Sequence, residues 1–288
     1  MARRSLAAGP ARRVRAVLCG SGLALLAAAV PAGAAPLDPA CALPDPIVAL
    51  DGRLDHFVAR ARSGAEVTIM AIGSSSTEGV GASAPDRTYP ARLAAELAAR
   101  LPAARFRVIN RGIGGEVAAA TARRLEADAQ ALRPDLVVWQ VGTNDAVRGV
   151  GAEATAAIVH DGIAFLARRG VDVVLMDPQL YPRIADDAGY AAVVARIDAL
   201  AAAEAVPVMR RFAAMRHWAG QPNPPLMLWR DAFHMNDLGY ACVAAVLAEG
   251  LARRVAAADR SNPAAEIAAA GGPAPSPAAV KPNEPLTH

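Results

Sequence analysis

The sequence predicts one three-layer α/β/α domain around a central five-stranded parallel sheet. Short apolar runs rich in β-branched residues alternate with longer segments of helical periodicity, from about residue 47 to residue 255. Strands that alternate with helices form right-handed βαβ units, which give a parallel sheet with helices on both faces. The run at 136–141 is apolar at nearly every position, as expected of a strand covered on both faces. A chain of 288 residues with 54% hydrophobic content can bury such a core.

The predicted elements follow each other in simple alternation. Strands are predicted at 67–72, 106–110, 136–141, 171–176 and 206–209. Helices are predicted at 47–61, 89–101, 116–132, 152–168, 186–203 and 236–255. The first helix is predicted from the spacing of Leu50, Leu54, Phe57 and Val58, which would share one face.

Both ends of the chain are predicted to lie outside the folded domain. Five arginines fall within residues 3–15, an apolar run covers 17–30, and small residues at 32–34 offer a cleavage site. Residues 1–35 therefore resemble a secretory signal peptide, and the apolar run is too short for a membrane span. Residues 256–288 are dominated by Ala, Pro, Gly and Ser, which predicts a disordered tail. The domain is expected at 36–255, in a periplasmic or secreted protein without an integral membrane span after cleavage.

Signal cleavage would also change the charge of the protein. The full chain has 30 Lys and Arg against 27 Asp and Glu, a net charge of +3. Five of those basic residues and none of the acidic ones precede Ala34, so 25 against 27 would remain, a net charge of −2. A chain of that charge shows no basic footprint for nucleic acid, and no nucleic-acid partner is expected. The oligomeric state stays open.

Cleavage would leave two cysteines, Cys41 and Cys242. In an exported protein they would pair, joining the new N-terminal segment to the last helix. The alternative is two isolated thiols, with Cys242 packed as a small apolar residue. The sequence leaves both open.

Several kinds of chemistry are excluded by residue type and spacing. The only lysine, Lys281, lies in the tail, so the domain has neither a Schiff-base lysine nor a P-loop lysine. The stretch beginning at Gly112 half resembles a dinucleotide fingerprint, but Val117 stands where the third Gly belongs. Neither His-Glu-x-x-His nor paired Cys-x-x-Cys is present, so no zinc site and no cofactor are predicted.

Five residues with catalytic potential follow the predicted strands or precede the last helix. Ser75 follows the first strand, Gly112 the second and Asn144 the third, while Asp231 and His234 lie just before the final helix. Functional groups in a parallel α/β sheet collect beyond the carboxyl ends of the strands. We therefore expect these residues to converge, although about 160 positions separate the first from the last.

Their roles follow from chemical need. A serine hydroxyl needs a neighbouring base to act as a nucleophile, and His234 is the best placed of the five histidines. Asp231 can bond the other imidazole nitrogen and stabilise the imidazolium that forms. The oxyanion created by attack on an ester needs hydrogen-bond donors. The N–H of Ser75, the N–H of Gly112 and the side-chain amide of Asn144 are the predicted donors.

The motifs around these residues resemble those of the SGNH hydrolases, also called the GDSL esterase/lipase family. Ser75 lies in Gly-Ser-Ser-Ser-Thr, where the family has Gly-Asp-Ser-x-Thr, and Gly112 lies in Asn-Arg-Gly-Ile-Gly-Gly, like the family's Asn-x-Gly-x-x-Gly. Asn144 lies in Gly-Thr-Asn-Asp, and Asp231 and His234 form Asp-x-x-His. The resemblance covers residues 67–248. It implies a flavodoxin-like sheet and a serine hydrolase of acyl esters that uses no metal.

Some alternatives stay open at this stage. Ser74 replaces the family's usual Asp, and only register with the motif distinguishes Ser75 from Ser74 and Ser76 as the nucleophile. Asn144 could be a turn residue only, and His234 could be a local cap bonded to Asp231. His56 and His160 are interpreted as surface or packing residues, and His217 as a packing residue with lining of the pocket as the alternative.

The sequence therefore predicts an exported serine esterase. Carbohydrate O-acetyl groups, extracellular polysaccharide esters and short lipid esters are the expected substrates of an exported enzyme of this kind. Acyl transfer to a sugar by the same residues is one alternative, and a non-catalytic carbohydrate-binding domain is another. The loop at 177–183 follows the fourth strand, and by its position Tyr181 is expected to border the substrate pocket.

Overall fold

The fold was analysed in a computed structural model that describes residues 37–184 and 186–260. The predicted signal peptide lies outside these residues, as do all but the first five residues of the predicted tail. None of the helices in the described ranges is both long enough and apolar enough to cross a bilayer.

The centre of the domain is the predicted five-stranded parallel sheet. Its strands are β1 Glu66–Gly73, β2 Arg105–Gly112, β3 Leu136–Gln140, β4 Asp172–Met176 and β5 Val208–Met209. They lie in the order β2-β1-β3-β4-β5, and every neighbouring pair is parallel. This is the flavodoxin-like strand order, which confirms the predicted fold class.

Helices and short helical turns connect the strands. In chain order they are α1 Asp45–Val48, α2 Asp55–Arg62, α3 Ser75–Glu78, α4 Tyr89–Arg100, α5 Ala118–Leu132, α6 Thr143–Val147, α7 Ala152–Ala167, α8 Ala188–Glu204, α9 Arg211–Ala219 and α10 Asp237–Arg260. Short 3₁₀ turns lie at Pro39–Cys41 and Pro85–Arg87.

The alternation of side chains along β1 divides the core into two layers. Val67, Ile69 and Ala71 join a cluster with residues of α2, α4, α9 and α10 on one face. Met70 and Ile72 join a second cluster with residues of α5, α7 and α8 on the other face. Full burial of one such aliphatic side chain contributes about 1.5–3 kcal/mol, so β1 is held firmly from both sides.

A disulfide joins the start of the domain to its last helix. Cys41 and Cys242 are bonded, with their Cα atoms 4.9 Å apart, and both side chains are buried. The first of the two alternatives left open by the sequence is therefore the one observed. The bond fastens the segment before α1 onto α10, which is buried along most of its length.

The prediction of one continuous helix at 47–61 is wrong. The structure has two helices there, α1 and α2, separated by an extended stretch in which Gly52 has φ 132°. The chain passes so close to the segment before β5 that a Cβ on Gly52 would lie 2.6 Å from the Ala205 carbonyl oxygen. A continuous helix would not allow this contact. Leu50, Leu54 and Phe57 are nevertheless all buried, as the pattern indicated.

Other differences concern the ends of elements. β5 is two residues long instead of four, because Pro207 has no N–H to donate to the sheet. The last helix continues to Arg260, so residues 256–260 belong to the domain and not to the predicted tail. Helix α9 and the short helices α3 and α6 were missed by the periodicity analysis.

The strand order determines where a site can form. From β1 the chain moves to β2 on one side of the sheet, and it then continues through β3, β4 and β5 on the other side. The connections that leave β1 and β3 therefore lie on opposite faces of the sheet. A crevice forms at such a point, beyond the carboxyl ends of the two strands. Ser75 follows β1 and Asn144 follows β3.

Candidate active site

Ser75 is the first residue of α3, directly beyond the end of β1. Ser74 before it is extended, with φ −97° and ψ −150°, so the chain turns sharply from strand to helix. The first N–H groups of a helix have no partner within it, which leaves the Ser75 N–H free for a ligand. The residue is 8% exposed.

His234 and Asp231 lie in the loop before α10 and form a tight local pair. Nδ1 of His234 lies 2.6 Å from Oδ2 of Asp231. The other carboxylate oxygen, Oδ1, accepts the N–H groups of Phe233 and His234, each at 3.0 Å. Ala232 between them has φ 56°, a left-handed conformation that closes the turn.

The hydrogen bonds at Asp231 determine its charge. Partial burial raises the pKa of its carboxyl, but the hydrogen bonds from the His234 side chain and from the N–H groups of Phe233 and His234 outweigh burial and lower the pKa below its usual value. An ionised carboxylate can only accept, so Nδ1 of His234 carries the proton and Nε2 is left as the acceptor.

That acceptor faces Ser75. His234 Nε2 lies 2.9 Å from Ser75 Oγ, across 159 residues of sequence. The structure thus brings the three predicted residues into one hydrogen-bonded line, from Ser75 through His234 to Asp231. The His234 side chain is 17% exposed, so the line is shielded without being closed to a substrate.

The two neighbouring serines are engaged elsewhere. Ser74 donates from its N–H at 2.8 Å and from Oγ at 3.0 Å to Oε1 of Gln140. Ser76 Oγ lies 2.8 Å from Oε1 of Gln179. Neither serine hydrogen-bonds His234, so the geometry favours Ser75 over both of its neighbours as the nucleophile.

Asn144 lies in the first turn of α6, beside the glycine-rich loop after β2. Its Nδ2 donates to the carbonyl oxygen of Glu116 at 2.8 Å. The next residue, Asp145, is buried, and its carboxylate accepts the N–H of Ala118 at 3.0 and 3.2 Å. Desolvation raises the pKa of Asp145, although these N–H bonds oppose it. Two consecutive side chains therefore hold the end of the loop and the start of α5.

Gly112, predicted as an oxyanion donor, has its N–H bonded to a nearby side chain. Its N–H donates to Oδ1 of Asn110 at 2.8 Å, because Asn two residues before an N–H readily closes such a turn. The glycine is required for a different reason: a Cβ there would lie 2.0 Å from the backbone nitrogen of Glu78. Among the described residues the N–H of Gly115, further along the same loop, has no acceptor.

A network of ion pairs around Arg124 supports the glycine-rich loop. Arg124 on α5 donates to Glu116, to Asp128 and to the carbonyl oxygen of Gly73 at the end of β1. All three charged side chains are at least four-fifths buried. The network ties the glycine-rich loop to the strand that carries Ser75.

A second support involves the fully buried side chain of Arg211. Its Nε donates to the Asp177 carbonyl oxygen at 3.1 Å and its Nη2 to Thr143 Oγ1 at 3.2 Å. Burial raises the pKa of the Asp177 carboxyl to about 7, against the opposing effects of the Phe212 N–H and of Arg211. The residue before Asn144 is thus held by a guanidinium beneath the site.

Sequence reasoning missed Gln140, Gln179, Arg124 and Arg211. A signal was present for the two glutamines: a polar side chain at the end of, or shortly after, an apolar strand. Gln140 ends the apolar strand β3, and Gln179 follows β4 by three residues.

Aromatic side chains line one side of the histidine. The Tyr181 and Phe233 rings meet edge to face with centroids 4.6 Å apart, and the Phe233 and His234 rings do so at 4.7 Å. Tyr181 therefore lies near the site, as its loop position predicted. By contrast, a cavity of about 520 Å³ lined by Arg53, His56 and Asp172 lies at the amino ends of the strands, away from this chemistry.

The other three histidines in the part of the chain that the structure describes have partners outside the site. His56 bonds Asp135 at 3.0 Å, His160 bonds Glu204 at 3.1 Å, and His217 bonds Gln221.

Residues 40–257 match the model of the Non-GDSL lipase-like family. The chain belongs to this family. The Non-GDSL lipase-like family is of the SGNH type, which confirms the resemblance drawn from the motifs, and its enzymes are carboxylic ester hydrolases. The family's name agrees with the one departure seen in the sequence, Ser74 in place of Asp.

Solved structures with the same fold extend the comparison. A two-domain esterase active on acetylated mannans has a TM-score of 0.59 and 24% identity, covering 71% of this chain and 55% of its own. A lipase/acylhydrolase from Enterococcus faecalis has a TM-score of 0.57 and 22% identity, and the match covers 65% of this chain and 96% of that protein. An acetyl xylan esterase from Geobacillus stearothermophilus has a TM-score of 0.57 and 20% identity, and the match covers 64% of this chain and 94% of that protein. This chain therefore spans little more than half of the two-domain esterase. No curated protein is significantly similar in sequence.

Proposed function

We propose that this Non-GDSL lipase-like protein is an exported serine esterase that hydrolyses short acyl esters, with O-acetyl groups on polysaccharides as the substrate class. The observation that carries the proposal is the line from Ser75 Oγ through His234 to Asp231, with distances of 2.9 and 2.6 Å. Nucleophile, base and orienting carboxylate are each within hydrogen-bond reach, as acyl transfer requires.

In the proposed reaction, Ser75 Oγ attacks the ester carbonyl carbon while its proton moves to Nε2 of His234. The imidazolium is stabilised by Asp231. When the tetrahedral intermediate collapses, the bond to the alcohol oxygen breaks and Nε2 returns the proton to the leaving alcohol. Water then attacks the acyl-enzyme with His234 again as the base, releasing the carboxylic acid and restoring Ser75.

The proposed donors for the oxyanion lie on the segments that follow β1, β2 and β3. The Ser75 N–H and the second hydrogen of Asn144 Nδ2 supply two. The third position falls to the glycine-rich loop after β2, where the candidates are the N–H of Gly112, which donates to Asn110 in the free protein, and the N–H groups of Gly114 and Gly115, which have no acceptor among the described residues. Each such donor is worth about 3–4 kcal/mol in the transition state.

The substrate class rests on two kinds of support. Solved relatives of the same fold include an esterase active on acetylated mannans and an acetyl xylan esterase. The rings of Tyr181 and Phe233 beside His234 offer an apolar face against which a sugar or a short acyl group could pack.

Export is supported by the N-terminal sequence and by the disulfide. Disulfides persist in oxidising compartments and are rare in the cytosol. The Cys41–Cys242 bond therefore agrees with the signal peptide expected at residues 1–35 and with a periplasmic or secreted protein.

Two assays test the proposal. Release of p-nitrophenol from acetate, butyrate and octanoate esters is measured for the protein and for Ser75→Ala, and release of acetate from acetylated mannan and xylan is measured in parallel. We expect turnover that falls by about 10³-fold or more in Ser75→Ala. Absence of turnover on every ester, or equal turnover by both proteins, would contradict the proposal.

A further inference from the structure

Gln179 contacts three of the four segments that form the candidate active site. It lies in the loop after β4 and is 0% exposed. Its side chain bonds Ser76, next to the nucleophile, and Phe233, next to the base. Its own N–H donates to Oγ1 of Thr143, next to Asn144, at 3.3 Å.

The orientation of the Gln179 amide is determined by its partners. The carbonyl oxygen of Phe233 can only accept, so the atom 2.7 Å from it must be Nε2. Oε1 then faces Ser76 Oγ at 2.8 Å, and the serine hydroxyl must be the donor. The neutral amide of Gln179 thus donates to the segment that carries His234 and accepts from the segment that carries Ser75.

Among the described residues, few hydrogen bonds join the loop that carries His234 to the turn that carries Ser75. We call residues 229–236 the histidine loop and residues 74–79 the nucleophile turn. The hydrogen bonds at Asp231, the bond from Trp229 N–H to the His234 carbonyl oxygen and the Leu228–Met235 bridge all lie within or beside the histidine loop. They fix its shape but not its distance from Ser75.

Across the residues that the structure describes, Gln179 is the only side chain that hydrogen-bonds both segments, apart from the Ser75–His234 pair itself. We propose that Gln179 is a positioning residue that sets the distance between Ser75 and His234 by bridging Ser76 and the Phe233 carbonyl. This inference rests on the proposed function, because its effect is expressed in the esterase reaction.

The first test replaces the amide by an apolar side chain of similar length. Gln179→Met removes both hydrogen bonds and leaves the Phe233 carbonyl oxygen unpaired. We expect kcat for p-nitrophenyl acetate to fall by about 10- to 100-fold, as a small misplacement of reacting groups does, with KM within about two-fold. Ser76→Ala removes one of the two hydrogen bonds and should lower kcat less than Gln179→Met does. Combining the two substitutions should cause no loss beyond that of Gln179→Met alone.

The second test distinguishes positioning from a general loss of structure. A protonated Glu at position 179 can donate to the Phe233 carbonyl oxygen and accept from Ser76, whereas an ionised one can only accept. The ratio of kcat for Gln179→Glu to that for the natural protein should therefore rise by about 10-fold or more as pH falls from 9 to 5, since burial favours the neutral acid. The nearby titratable groups are Tyr190, whose hydroxyl bonds the Gln179 carbonyl oxygen, Asp177 two residues earlier, and His234 next to Phe233; all are present in both proteins, so only their coupling to the new carboxylate enters the ratio.

Gln130→Glu on the exposed face of α5 is the matched control, and its ratio should stay flat with pH. A flat ratio for Gln179→Glu, or a kcat of Gln179→Met equal to that of the natural protein, would overturn the inference. Should Gln179→Met fail to fold, the Gln179→Glu ratio and Ser76→Ala decide the question. An inactive natural protein would contradict the proposed function, whereas an active one with Ser75→Ala inactive and Gln179 variants unaffected would contradict the positioning role alone.

Discussion

The side-chain amide of Asn144 donates a 2.8 Å hydrogen bond to the backbone carbonyl of Glu116. An amide has two hydrogens on its nitrogen, so this bond orients the group and leaves the second hydrogen for an acceptor. Asp145 holds the next part of the loop through the Ala118 N–H. Asn144 is therefore rigid before any substrate arrives, which is what stabilisation of a developing charge requires.

Asn144→Ala is expected to lower kcat by about 10²- to 10³-fold with little change in KM, because a donor to the transition-state oxyanion is lost. Steady-state kinetics on p-nitrophenyl acetate measure both constants. Gln130→Ala, on the exposed face of α5, serves as the control. A loss confined to KM would show that Asn144 binds the substrate and does not stabilise the oxyanion.

Gly112 and Gly115 should respond differently to alanine. Gly112→Ala would place a methyl group 2.0 Å from the Glu78 nitrogen, so we expect a large drop in melting temperature. At Gly115, where φ is 76°, the nearest atom to a Cβ is the flexible Arg148 guanidinium at 3.3 Å. Gly115→Ala should lose only about 1–2 kcal/mol of stability and should lower kcat through the displaced N–H. Unchanged kcat in a folded Gly115→Ala would remove Gly115 from the oxyanion site.

Asp231→Asn should keep the loop but spoil the proton arrangement. The amide can still accept the N–H groups of Phe233 and His234, yet its NH₂ favours the wrong tautomer of His234. We expect kcat to fall by about 10³- to 10⁴-fold while the melting temperature changes little. The same measurement on Asp237→Asn, which bonds Ser83 at the start of α10, controls for the loss of a nearby charge. Similar losses in both variants would contradict a specific role for Asp231.

The buried carboxyl of Asp177 predicts a pH dependence of stability. Its pKa is raised by burial from an ordinary value of 3.8 to about 7, so the native state holds the proton more tightly than the unfolded chain. The contribution of Asp177 to the free energy of unfolding therefore falls as pH rises from about 4 to about 7 and levels off above that. Asn at this position does not titrate. Urea unfolding at several pH values should show Asp177→Asn gaining stability relative to the natural protein across that window, and a constant difference would disprove the assignment.

Tyr181→Ala should change the acyl specificity. Removing the ring opens space beside Phe233 and His234, so the ratio of kcat/KM for octanoate over acetate should rise by about 10-fold. Tyr181→Phe keeps the ring and should leave the ratio unchanged. An identical profile for the alanine variant would place Tyr181 outside the acyl and alcohol pockets.

Sequence periodicity predicted the sheet well because β1, β3 and β4 are nearly pure apolar runs. β1 and β3 are buried at almost every position, and a run of that kind has few alternatives. The first helix failed because its apolar spacing continues across Gly52, while the backbone there is fixed by a contact with residues about 150 positions away. Such a contact leaves no mark in local sequence.

The convergence of the proposed reacting groups was predictable from the sequence, whereas the residues that support them were less so. Ser75, His234 and Asp231 must be particular residue types, so their motifs stand out. A backbone donor carries no side-chain signature, and therefore the assignment to Gly112 could not be separated from one to Gly115 in the same glycine-rich stretch. The contacts of Gln179 depend on three loops meeting, and the sequence alone gives no information about that meeting.

The disulfide also determines an order of events. Cys242 follows Cys41 by 201 residues, so once the predicted signal peptide with Cys19 has been cleaved, a growing chain holds no partner for Cys41 until β1 to β5 and the start of α10 have all been made. The crosslink is thus a late closure that joins the two ends of a finished domain. A chain truncated before α10 would leave Cys41 as a free thiol, and reactivity of that thiol would reveal unfinished molecules in a mixed population.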